Sequence, residues 1–159
     1  MPEMLLAVVP LALVASVPLL LTVCGELVVQ RSGMINLGIE GMLLAAAFGA
    51  TVTGNIAGGI AGAMVIAALF GIFAISLRAD QIVTGTALNL LALGLTAFIY
   101  REIDIAVPAQ MKSDSIAPFA WIVMPLLIAV LLWRTTPGLR LRAAGENPAA
   151  LRAAGRSAA

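Results

Sequence analysis

The sequence predicts an all-α, polytopic helical membrane protein with about five transmembrane helices and a short helix after them. Residues of the AVILMFWYC set make up 62% of the chain, and only 11% are charged. A soluble domain has a polar surface to cover and carries roughly a quarter charged residues. The apolar residues also fall into runs near the roughly 20 residues that a helix needs to cross the hydrocarbon core. Backbone polar groups in lipid must be paired within the segment, which favours helices over open sheet.

The first run, Met4 to Cys24, is interrupted by Pro10 and Pro18. A signal peptide would start with basic residues, and Met1-Pro2-Glu3 has none, so this run reads as a retained helix. The second run is Met34 to Val52, broken by Asn36 and Glu40. The third is Ile56 to Leu77, the fourth Ile82 to Tyr100 and the fifth Ile116 to Trp133. Short polar connections separate most of them, with a longer one from Arg101 to Ser115. Residues 1–133 thus read as a transmembrane bundle and residues 134–159 as a basic tail. Gly54, Gly58 and Gly62 recur every four residues and are expected to line one helix face as a packing seam.

The composition excludes several chemistries. There is no histidine and a single cysteine, Cys24. An intrachain disulfide, a zinc site and a histidine-activated nucleophile are therefore not expected. The one lysine, Lys112, has no glycine-rich loop before it, so the chain lacks a phosphate-cradling P-loop. No metal or cofactor is expected, and any ATP hydrolysis belongs to a partner. A net charge of +1 gives no case for nucleic acid.

Charge placement sets the expected orientation. With the tail in the cytoplasm, that side holds Arg31, Arg78, Arg134, Arg140, Arg142, Arg152 and Arg156, and the other side only Arg101 and Lys112. The positive-inside rule selects a cytoplasmic C-terminus, and the N-terminus then lies outside if all five runs span.

Polar groups at membrane depth are candidates for a solute pathway, because they are costly there unless they serve a purpose. Glu40 and Asn36, one turn apart, either line a polar path or serve locally, with Glu40 pairing Arg31 at a helix start. The stretch Ser32 to Gly41 holds Gly33, Gly38 and Gly41, a density that disfavours a regular helix and suggests broken backbone. On the fourth run Gly85, Asn89 and Thr96 share a face by the 3.6-residue period. Asn89 and Thr96 could meet solute, although a bond from Asn89 to a neighbouring helix is the commoner use of such a residue.

Local rules also start a short helix in the tail. Asn147 is a good N-cap, Pro148 suits the first helical position and Gly155 suits the C′ position. This helix either rests on anionic headgroups or docks a cytoplasmic partner.

Three stretches resemble the permease family of bacterial ABC importers for simple sugars and nucleosides, related to the ribose and branched-chain amino-acid permeases. They are Gly25-Glu26-Leu27 running through Arg31 to Met42; Asp80-Gln81-Ile82-Val83-Thr84-Gly85-Thr86 through Asn89 to Thr96; and Gly138-Leu139-Arg140-Leu141-Arg142 through Gly145-Glu146-Asn147-Pro148. They occur in the family's order. The resemblance implies a transport subunit in the bacterial inner membrane that works with a second permease subunit, a cytoplasmic ABC ATPase and an extracytoplasmic solute-binding protein. It implies that Gly145, Glu146, Asn147, Pro148 and Arg152 belong to an ATPase-coupling helix. Members of the family are about twice as long, so the chain is expected to be an N-terminal half. A small homodimeric secondary carrier and a non-transporting remnant stand as alternatives.

Overall fold

In a computed structural model the described residues are 2–102, 117–153 and 155. Most of the expected outer connection from Arg101 to Ser115, including Lys112, lies outside the described residues, as do Ile116 and Arg156. Every regular element among the described residues is helical. The elements are α1 (Pro2–Ala15), α2 (Val17–Arg31), α3 (Ile39–Thr53), α4 (Ile56–Gly71), α5 (Gln81–Glu102), α6 (Met124–Arg134), α7 (Thr136–Glu146) and α8 (Pro148–Ala153). A π-helical turn, Ile72–Ser76, extends α4, and another, Phe119–Val123, leads into α6.

Among the described residues two helices are long and apolar enough to cross a membrane, Ile56–Ser76 and Gln81–Glu102. Two bent pairs raise the number to as many as 4 if each is one span. One of these is the first run, bent by 42° between α1 and α2. The bend has a local cause. Ser16 lies between the helices and Pro18, in the first turn of α2, has no N–H to offer the preceding turn. At the break the carbonyl of Leu13 accepts from the Ser16 hydroxyl at 2.9 Å and from the Trp121 indole N–H at 3.1 Å. The second expected span is shorter than the sequence suggests. Its helix, α3, has 15 residues because residues 32–38 do not join it.

The chain divides into two compact units. One contains α1, α2, α6, α7 and α8, the other α3, α4 and α5. In the first, Cys24, Ile128 and Leu132 are buried together, with Val28 and Leu141 packed against them. In the second, α3 and α4 form an antiparallel hairpin held by small residues. Gly54, with φ +69°, ends α3, and Asn55 caps α4 by accepting the Gly58 N–H at 2.9 Å. A Cβ at Gly62 would collide with the carbonyl oxygen of Ala45, and one at Gly58 would stand 2.6 Å from that of Gly49. Gly58 and Gly62 thus form the expected seam. Gly54 does not belong to it, because the left-handed turn places it outside α4.

The surface is apolar where lipid is expected. In Ile56–Ser76 only 17% of the most apolar window is buried, and in Gln81–Glu102 only 22%. Leu90 and Phe98 on α5 are 70% and 63% exposed. Such surface is unfavourable in water and neutral in hydrocarbon.

The tail contains a helix that the sequence reading missed. Thr135 is extended, and its side-chain oxygen accepts the Gly138 N–H at 3.2 Å, while Pro137 occupies the first turn of α7. A Thr cap followed by proline is a helix-start signal. Gly138 is buried against the last turn of α6, where a Cβ would collide with the Leu131 carbonyl. That absence of a side chain lets α7 turn away from α6 by 74°.

Candidate functional site

The polar candidates of the second unit converge on the broken stretch before α3. Residues 34–37 lack helical hydrogen bonding and Gly38 makes it only through its carbonyl, so the remaining backbone groups need other partners. Three side chains supply them. The Gln81 Oε1 accepts the Ile35 N–H at 2.8 Å. Asn36 folds back, its Oδ1 accepting the Gly38 N–H at 3.0 Å, and its Nδ2 lies 3.5 Å from the Met42 sulfur. Asn89 spans the gap from α5. Its Nδ2 donates to the Leu37 carbonyl at 2.8 Å, and its Oδ1 accepts the Gly41 N–H at 2.7 Å.

Glycine makes this contact close enough. A Cβ at Gly85 would stand 2.7 Å from the Gly38 nitrogen, and one at Gly41 would stand 3.1 Å from the Asn89 Cα. Gly38, Gly41, Thr84, Gly85 and Leu88 are all buried. The broken stretch is thereby fastened to the first turns of α5. Asp80 fixes that helix start, its Oδ1 accepting the Ile82 and Val83 N–H groups at 2.8 and 3.0 Å. Of the expected pathway residues, the structure brings Asn36 and Asn89 to this one place. Thr96 stands farther along α5, its hydroxyl donating to the Ala92 carbonyl of its own helix at 2.7 Å. Glu40 is exposed in the first turn of α3, where a carboxylate complements the helix dipole. Gln81 was not foreseen, although a polar residue opening an apolar run was its visible signal.

The second candidate site lies in the other unit. Gly33, with φ +84°, turns the chain after α2. Gly145, near the end of α7, rests on this turn. A Cβ there would stand 2.6 Å from the Arg31 carbonyl oxygen and 2.9 Å from the Gly33 nitrogen. No side chain fits between the two backbones. Gly145, Glu146, Asn147 and Pro148 are exposed. Asn147 separates α7 from α8, its N–H donating to the Ala143 carbonyl at 3.0 Å. The 6-residue helix α8 carries Arg152, whose side chain lies outside the described residues. Gly155 adopts φ +72°, the left-handed backbone expected after a helix end.

Near the corner of α6 and α7, the Arg142 guanidinium lies over the Trp133 ring, 4.5 Å from its centroid. Among the described residues no group of His, Cys, Asp and Glu could hold a metal ion.

Comparison with known proteins adds the family. Residues 8–159 match the family described as branched-chain amino acid transport system / permease component. The chain is 31% identical over 188 aligned positions to the guanosine ABC transporter permease protein NupQ of Bacillus subtilis, covering 93% of this chain and 58% of that protein. It is 32% identical over 175 positions to the nucleoside ABC transporter permease protein NupC of Lactococcus lactis, covering 87% of this chain and 55% of that one. The chain thus spans little more than half the length of these relatives. No solved structure matches. On the match over nearly its whole length, the chain belongs to the branched-chain amino acid transport system permease family, a family of multi-pass membrane proteins.

Proposed function

We propose that this chain forms the N-terminal part of the membrane subunit of an ATP-driven importer whose solute is a nucleoside, with simple sugars as the alternative class. The observation that carries the reading is the family match over residues 8–159, joined to two relatives named as nucleoside and guanosine ABC transporter permeases. In this reading the helices provide one wall of a pathway. Asn36, Glu40, Asn89 and Thr96 lie on or near that wall. A second permease subunit and the remaining helices close it. An extracytoplasmic binding protein delivers the solute, and ATP is hydrolysed by a separate subunit.

The docking face for that ATPase is Gly145 to Pro148 with α8 and Arg152. Support comes from the exposure of residues 145–148 and from the seat of Gly145 on the Arg31–Gly33 turn, which gives the face a fixed backing. The arginine distribution supports a cytoplasmic position for this face, and an outside N-terminus follows when α3 with the stretch before it completes a fifth crossing.

The experiment is uptake of radiolabelled guanosine, adenosine and ribose in cells with and without the gene. Uptake of a nucleoside that needs the gene, stops when ATP is depleted and survives a protonophore supports the reading. Gene-dependent uptake that collapses with the protonophore and ignores ATP depletion would indicate a secondary carrier.

A further inference from the structure

The corner between α6 and α7 carries a group that the transport reading does not use. Trp133, in the last turn of α6, is 62% exposed, yet the Arg142 guanidinium lies over its ring. Arg142 is half-buried, and its Nε is buried with no hydrogen-bond partner among the described residues. A positive charge held partly out of water is costly, and an anion at the outer nitrogens offsets the charge, though it leaves the Nε without an acceptor. The surroundings indicate where the anion comes from. Alpha-helix α6 is apolar and α7 leaves it at 74°, so α7 runs close to the membrane plane when α6 crosses it. Leu141 on α7 packs on the buried cluster, whereas Leu139 is 60% exposed and suits an acyl boundary. A tryptophan at this level is an interfacial anchor, and arginine there meets phosphate.

We infer that Trp133 and Arg142 form a binding site for one anionic phospholipid headgroup, its phosphate accepting from the outer guanidinium nitrogens while the indole holds the guanidinium plane. The site is local rather than a general basic surface. Arg140 lies two residues from Arg142, about 200° around the helix, and is exposed. It carries the same charge without the ring. The inference rests on the membrane placement proposed above and not on the solute or the ATPase.

The test uses the purified chain in bilayers containing brominated lipid. The chain has two tryptophans, so Trp121→Phe leaves Trp133 as the reporter. Quenching by brominated phosphatidylglycerol and by brominated phosphatidylcholine gives a relative binding constant. The expected result is a preference for phosphatidylglycerol that falls about fivefold with Arg142→Gln and much less with Arg140→Gln. Saturating inorganic phosphate should leave the preference in place. Equal quenching by both lipids overturns the site. So do equal losses in the two arginine variants, which would indicate diffuse attraction, and loss to free phosphate, which would indicate a soluble anion. Native mass spectrometry of the unsubstituted chain from mixed bilayers needs no variant. Retained phosphatidylglycerol supports the site and its absence overturns it. Failed uptake with a retained lipid would refute the transport reading alone.

Discussion

Gly41 donates its backbone N–H to the side chain of Asn89 at 2.7 Å, joining the start of α3 to α5 across 48 residues of sequence. The same amide reaches the Leu37 carbonyl at 2.8 Å. One side chain thus satisfies two backbone groups of a stretch that no helix can serve. Replacing Asn89 with Ala leaves both without this partner. Gly41 is buried and Leu37 exposed, so the expected loss of stability is about 1–3 kcal/mol, the usual cost of one unsatisfied buried group. Thermal unfolding in detergent reads it as a lowered midpoint. Thr96→Val removes only a bond within α5 and should change the midpoint little.

The α3–α4 seam gives a matched pair of glycine substitutions. Gly62→Ala forces a methyl group against the Ala45 carbonyl and should destabilise by about 1–3 kcal/mol. Gly94→Ala adds the same methyl to α5, where nothing lies within 4 Å. It should stabilise by about 0.5–1 kcal/mol, because alanine loses less entropy in a helix. Opposite shifts in unfolding midpoint check both.

Gly145→Val would push α7 off the Arg31–Gly33 turn and so move the proposed docking face. In the full-length transporter, uptake should fall while the protein still accumulates. Gly25→Ala serves as the control, since it meets nothing within 4 Å. Immunoblotting alongside uptake separates lost coupling from lost protein.

Charge reversal on the proposed docking helix, Arg152→Glu, and the loss of its expected cap and first-turn proline, Asn147→Ala with Pro148→Ala, should uncouple transport. Truncating an interface hot spot costs about 2 kcal/mol or more. The readout is solute-stimulated ATP hydrolysis in reconstituted transporter, which should fall toward the unstimulated rate.

Much of this arrangement was legible in the sequence because lipid leaves few options. Apolar runs must be helices, and the runs ending at Leu77 and Tyr100 became Ile56–Ser76 and Gln81–Glu102 within a residue or two. The dense glycines between Gly33 and Gly41 correctly marked broken backbone. Three features were harder. Gly54 shares a four-residue spacing with Gly58 and Gly62, yet the Asn55 cap places it outside the helix, so a local cap overrode the period. The helix α7 was hidden because its composition is too polar for a span, although Thr135 and Pro137 marked its start. The partners of Gln81 and Gly145 lie 46 and more than 100 residues away, and one sequence carries no signal of such pairings.

The sidedness and partner of α8 decide most directly whether this chain docks an ATPase. A chain carrying Cys24→Ser and Ala149→Cys has one thiol, beside Pro148 on the exposed face. The expected result is labelling by a membrane-impermeant maleimide in inverted vesicles only, and cross-linking of that thiol to an ATPase subunit. Labelling in intact spheroplasts would place the face outside the cell and contradict the account.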